Sequence, residues 1–572
     1  MMSKKKTLFV QVATKKDKNT KSPLYPNRKL TKQEELQQLM ENRKTTTVKA
    51  KLETILRPAH RNIKDKIIKV SKDIRNILIR VQLFVNYYIM NHNGLVVDKK
   101  VFTQNFWYSI SQLALGKTPT NKKSLPDDIF SNWKSFSSRY KEIVYKMDSS
   151  VAGYSQCLTA TCVEVATCYN NMTVECFQSR LMSYLSNSKH VQKLAEYGYQ
   201  YICDGQTTWP EDVTDITIDE RTAINSPCKG LSRTEIPKPV TVKCLAASPG
   251  SYIPMLREIL KRCMAENQKQ QENQEYGQQE KPSYMARLFS LFPVPSLKWR
   301  SVSINPNTLS SFAGKPKQSN YDDKFNMFNT VFDLSSLGVN SFEDLKKPAA
   351  KNKTAFANLI RSDGFAANVA LYKGASNNED VTEQSSDSTF DIQLLSDVLK
   401  PGDVDNFSLC GLDPGRQHAF TASYNEGENP HQIRRVSTAE YYNYTGSIHH
   451  QRKEQKRMEK KGMKNVLLNI PSIKTTSLMQ YHMYMTYIMA NIQKILDFYG
   501  YETAEGRFHC YQGVQRAIEE MVNILINGGK KYNKDRRKNT RKNRRRRKKK
   551  KEKRGKGEKK KDEESSERPE KQ

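Results

Sequence analysis

From Lys530 onward the chain loses any means of building a core. Residues 530–560 carry 21 Lys and Arg against three Asp and Glu. Their net +18 is about half of the +35 carried by the whole chain. Charge at this density repels itself and offers no apolar periodicity, so a disordered polybasic tail is expected there. Residues 1–51 repeat the bias, with 14 basic residues against four acidic ones, and Pro23 and Pro26 oppose helix. They read as an extended basic arm. The middle is better balanced. With 37% hydrophobic and 9% aromatic residues overall, the chain excludes a wholly disordered protein. A length of 572 residues suggests about three to five structural units, at roughly 100–200 residues per domain.

Two charged ends point to a polyanionic partner. Each phosphate neutralised by Lys or Arg releases condensed counterions, which favours DNA or RNA without any reading of sequence. The runs DRRKNTRKNRRRRKKKKEKR and MMSKKK also fit nuclear import, and a nuclear location is expected. A membrane partner is not expected, because the basic run lacks an apolar face or a lipidation signal. The most apolar stretch, Ile77 to Met90, is broken by Arg80, Gln82 and Asn86. The start has no small-residue cleavage site, which sets a secreted protein aside. Ten cysteines are scattered, none in a C-x-x-C pair. The closest group, Cys157, Cys162, Cys168 and Cys176, reads as reduced thiols rather than a zinc site.

Along the middle, Ile67, Val70, Ile74, Ile77, Leu78, Val81, Phe84, Val85 and Tyr88 recur at helical spacing. Lys66, Lys69, Lys72, Arg75 and Arg80 fall on the other face, a solvated surface or a phosphate-facing groove. Helices are expected over 101–115, 128–147, 155–203 and 253–270. The Gln- and Glu-rich segment 265–281 and the polar segment 375–389 read as loops. Trp299, Val302 and Ile304 suggest a short strand. An apolar strand from Phe407 to Leu412 ends at Asp413, turns at Pro414-Gly415, and is followed by a strand from His418 to Tyr424. A third strand, HQIRRVS, runs into a helix. Helices near 475–499 and 512–526 end at Gly500 and Gly528-Gly529.

An aspartate at a strand tip, followed by a tight turn into an antiparallel neighbour, suits a metal-dependent nuclease. Alone, Asp-Pro-Gly is an ordinary turn. The set GLDPGRQHAFTASY, RRVSTAEYYNYTG, NIPSIKTTS and YGYETAEGRFHCYQGVQRAIEEMVNILINGGKKY, however, resembles the Fanzor proteins, eukaryotic relatives of the transposon-encoded TnpB nucleases. The resemblance is closest to fungal-type members, spans about residues 405–537, and extends diffusely to RNILIRVQLFVNYYIMN. It implies an α+β multidomain protein descended from an RNA-guided DNA endonuclease. The implied units are a basic arm (1–51), a helical recognition-like domain (52–280) and a β-rich wedge-like region (281–404). A partial RuvC domain of RNase H type (405–529) and the tail (530–572) complete it.

In that family Asp413 takes the place of the first RuvC aspartate and would ligate Mg²⁺. The expected partners are DNA and a guide-type RNA. Candidate phosphate contacts are Arg416, Arg434, Arg435, Lys530, Lys531, Arg536, Arg537, Arg544, Arg545, Arg546 and Arg547. The sequence also departs from the family. The later catalytic glutamate, the paired zinc-binding cysteines and the final aspartate have no counterpart. Glu552, Glu558, Asp562, Glu563 and Glu564 lie in a segment without apolar residues, while Glu440, Glu519 and Glu520 read as surface charge on helices. The expectation is therefore a cleavage-deficient, truncated relative that still binds nucleic acid. The alternatives are a nucleic-acid binder without any catalytic role and a nuclear scaffold whose tail serves import.

Overall fold

The apolar stripe that begins at Ile67 becomes the axis of the molecule. It folds as α1 (Asn62–Asn91), in which Ile67, Val70, Ile74, Ile77, Phe84 and Val85 are wholly buried. The computed structural model describes residues 44–92, 96–147, 151–187, 198–200, 202–203, 231, 236–275, 285–335, 354–373, 410–424, 432–533, 536 and 545–546. Around α1 lie α2 (Gln104–Ala114), α3 (Ile129–Arg139), α4 (Tyr154–Asn187) and α5 (Ile253–Glu275). Phe84 meets Trp133 and Phe136 of α3 edge-on, at centroid distances of 4.8 and 5.1 Å. Such geometry favours aromatic pairs beyond their area alone.

The polar residues that interrupt the apolar run of α1 are internal ties. Arg75 and Arg80 are buried, which corrects the expectation of a solvated or phosphate-facing surface at these two positions. Arg80 donates from Nε to the Glu142 carbonyl at 2.8 Å and from Nη1 to the Asn76 carbonyl at 3.0 Å. Asn86 Oδ1 accepts from the Tyr169 hydroxyl at 2.6 Å. A buried polar group is tolerated only with such partners. Lys72, by contrast, remains exposed.

A four-stranded antiparallel sheet closes one side of this core, in the order β1-β4-β3-β2. Its strands are β1 (Lys44–Lys51), β2 (Val302–Ile304), β3 (Thr354–Ser362) and β4 (Ala366–Lys373). The last part of the basic arm is thus an edge strand, with Lys44 opposite Lys373 and Lys51 opposite Ala366. The stitching continues past β1, where Leu52 N–H donates to the Phe365 carbonyl at 2.8 Å and Asp333 N–H to that of Ile55 at 2.6 Å. A register shift in β3 between Phe356 and Ile360 coincides with positive φ at Asn358, as in a β-bulge. Glu164 of α4 fastens the sheet edge through Arg300 at 3.3 Å and Arg361 at 3.2 Å. Helices α6 (Pro306–Ala313) and α7 (Tyr321–Val331) complete this side.

The segment expected to be a loop from 265 is helical through Glu275, where α5 ends. Gln, Glu and Lys are good helix formers, and this exposed extension needs no apolar stripe once its first turns are packed. Residues 276–284 and the polar segment 375–389 lie outside the described residues, as do residues 1–43.

A second, smaller antiparallel sheet has the order β5-β6-β7. It comprises β5 (Cys410–Asp413), β6 (His418–Tyr424) and β7 (Gln432–Ser437). Then come α8 (Thr438–Tyr444), α9 (Ser447–Lys460), α10 (Met463–Leu468), α11 (Leu478–Phe498) and α12 (Glu502–Asn527). Tyr481, Met485, Ile488 and Ile495 of α11 join the large core with α1, while α12 covers one face of the small sheet. The molecule is therefore mixed α+β, mainly helical, with two small antiparallel sheets. Among the described residues no helix is long and apolar enough to cross a membrane.

Candidate nucleic-acid interface

The three strands form because β-branched and aromatic residues alternate between turn signals. Gly415 N–H donates to the His418 carbonyl at 3.0 Å, closing the Pro-Gly turn. Thr438 holds that turn against the start of α8, donating its amide to the Gln417 carbonyl at 3.0 Å and its hydroxyl to that of Arg416 at 2.6 Å. Ser437 and Glu440 form a capping box, each side chain bonding the other's backbone N–H.

Strand alternation divides the sheet's side chains. Phe420, Ala422 and Val436 point to α12 and, with Ile524, make a small buried core. The opposite face carries Gly411, Asp413, Thr421, Ser423, Ile433 and Arg435, and none of these is buried. Register places Asp413 opposite Thr421, and Thr421 opposite Arg435. One carboxylate and one guanidinium therefore share a row across the open face. With strands ~4.8 Å apart, their backbones stand about 10 Å from one another, and the two side chains form no ion pair here. Both side chains are exposed, and so is Arg416 just beyond the turn.

The other candidate contacts divide sharply. Arg434 faces the covered side, where Nη1 donates to the Leu525 carbonyl at 2.7 Å and the guanidinium sits 4.4 Å from the Tyr424 ring centre. It caps the last turn of α12, a favourable place for a cation. Lys530 pairs with Glu520. Lys531 reaches Glu440 Oε2 at 2.8 Å and the Arg435 carbonyl at 2.7 Å, while Arg435 N–H donates to the Tyr532 hydroxyl at 2.9 Å. Lys531 and Tyr532 thus satisfy a backbone pair on the outer edge of β7, which would otherwise invite another strand. Burial opposes ionisation of Glu440, but Lys531 and the Ser437 donors together hold its carboxyl below the ordinary value. Arg536, Arg545 and Arg546 are exposed. Arg537, Arg544 and Arg547 lie outside the described residues, as do Glu552, Glu558 and Asp562 through Glu564.

Sequence reasoning missed Thr421, because register across strands is not written in either strand alone. It also missed α9 as a surface. His449, Arg452, Lys453, Lys456 and Lys460 all belong to this helix, which has no buried residue. The run of basic residues over 451–464 was its signal.

Asp413 offers one exposed oxygen donor of the kind Mg²⁺ prefers. Among the described residues no group of three or more His, Cys, Asp or Glu side chains stands together as a metal site. Those residues alone do not build the carboxylate cage of a two-metal centre. Cys410 opens β5 and is exposed, whereas Cys157 and Cys162 are buried on α4, where burial pushes each thiol up to about 12. The chain matches no family model and no curated protein.

Proposed function

We propose that this chain is a nucleic-acid-binding protein of the TnpB/Fanzor kind, derived from an RNA-guided DNA endonuclease and acting by binding rather than cleavage. The carrying observation is the open face of the small sheet, where Asp413 and Arg435 share a row beside the anchored start of the polybasic segment. A three-stranded antiparallel meander running into a helix, with an aspartate at the tip of its first strand, accords with the beginning of an RNase H-type domain. Two-metal hydrolysis needs several carboxylates around its ions, and Asp413 is the one the motif supplies. Arg416, Arg435 and the basic surface of α9 would grip the backbone of DNA or of a guide-type RNA. Such contacts position a strand without reading its sequence. A nuclear location follows from the same basic runs.

Fluorescence anisotropy of the full chain with labelled RNA and duplex DNA tests this reading. At about 150 mM salt, the full chain should bind more tightly than a peptide spanning residues 530–560. Arg416→Gln with Arg435→Gln should weaken binding by about tenfold and flatten its salt dependence, since each lost phosphate contact removes about 0.9 from the slope. Asp413→Ala should leave binding unchanged, with no Mg²⁺-dependent cleavage in either form. Affinity equal to that of the peptide would instead favour a scaffold with an import signal.

A further inference from the structure

Away from the small sheet, α4, α5 and residues 287–290 enclose a cavity of about 420 Å³, closed on another side by Lys474 ahead of α11. Its walls carry three cations, Arg180, Arg287 and Lys474, and four hydroxyl-bearing residues, Ser179, Ser183, Tyr184 and Ser290. No Asp or Glu lines it, and among the described residues none of the three cations has an ion-pair partner. Helical spacing explains part of the arrangement, since residues four apart, 179 with 183 and 180 with 184, stack on one face of α4.

Arg180 gives the cavity its chemistry. Its Nη1 is buried and makes no hydrogen bond, an expensive state for a charged donor unless a ligand completes it. The guanidinium is held in place 4.5 Å from the ring centre of Phe289. Burial pulls its pKa below the ordinary arginine value, yet arginine stays cationic at any physiological pH. A fixed guanidinium with a free N–H, ringed by hydroxyls and two more cations, matches a phosphate better than a carboxylate-poor structural niche would require. The space exceeds that of a bare phosphate and falls within the ~300–1,000 Å³ typical of small-molecule sites.

We propose that this cavity binds one nucleotide unit, its phosphate seated on Arg180 and flanked by Arg287 and Lys474. The site is independent of the small sheet and does not rest on the nuclease-like reading. Its nucleotide has two possible sources, a free mononucleotide or the phosphorylated end of a strand.

Calorimetry on the full chain with AMP, and anisotropy with a short RNA with and without a 5′-phosphate, test the site and separate these sources. Saturable AMP binding that weakens at least about tenfold in Arg180→Gln supports the site and a free nucleotide. Failure of AMP, with tighter binding of the 5′-phosphorylated RNA that disappears in the variant, supports it with a strand end. Arg287→Gln with Lys474→Gln, at exposed positions, repeats the test without touching the helix packing of Arg180. Binding of neither probe, or binding indifferent to both sets of substitutions, overturns the proposal.

Discussion

Arg75 and Arg434 do the same local job in two very different regions. Each guanidinium caps the C-terminal carbonyls of a helix, Arg75 on Leu496 of α11 and on Tyr499 just past its end, Arg434 on Leu525 of α12. Arg75 does so inside the large core, 5.0 Å from the Trp299 ring centre, where burial pulls its pKa down to about 10. Arg434 does so at the rim of a sheet with three buried core residues, one face of which is uncovered. In the large region Arg75 is consumed by the fold. In the small one, the arginine facing the covered side is consumed and its neighbour Arg435 is left outside. Charge therefore has no fixed meaning along this chain, and at Arg75, Arg434 and Arg435 what covers the side chain decides its part.

The sharpest way to break the comparison is Arg75→Met. It leaves two carbonyls at the end of α11 without their donor, and should cost about 2–4 kcal/mol, read as a lower midpoint in urea denaturation. The equivalent change at Arg434 should cost less, because water can reach the rim. Next in size is Gly513→Ala. A Cβ there would sit 1.9 Å from the Thr445 carbonyl oxygen, where α12 crosses the end of α8. Overpacking of this kind should cost about 1–3 kcal/mol, and hydrogen exchange should rise in β5–β7 before it rises in α1.

The smallest effect is electrostatic. The folded-state pKa of Glu440 lies below its unfolded value, so its contribution is complete above about 4.5 and is lost as pH falls through the folded value. Near-neutral melting should exceed melting at acid pH by more in the native chain than in Glu440→Gln. A parallel pH dependence in both proteins would mean that the Lys531–Glu440 contact does not stabilise the small sheet.

How much of this was legible in the sequence follows the range of the interactions. The strand His418–Tyr424, the capped turn from Ser437 into α8 and the stop of α11 near Gly500 are local, and alternation, a capping box and glycine mark them. The strand Lys44–Lys51 was hidden because its partner, Ala366–Lys373, lies far along the chain and KTTTVKAK reads first as charge. The first turns of α12 were hidden by Gly506, which looks like a helix breaker and is instead a point of close approach to His450. The burial of Arg75 and Arg80 was unreadable, since helical spacing assigns a face but not what covers it. Asp413 was visible as a strand tip, whereas its row with Thr421 and Arg435 required register.

The grip of Lys531 and Tyr532 on β7 has a practical corollary for anyone who shortens this chain. The same two residues that lead into the polybasic run also keep a sheet edge from finding a stranger's strand. Cutting before them removes charge and uncovers a sticky margin in one stroke, so a shortened protein that precipitates says nothing about phosphate affinity. Cutting after Asn533 separates the two, keeping the edge of β7 covered so that a weakened hold on nucleic acid measures the tail alone.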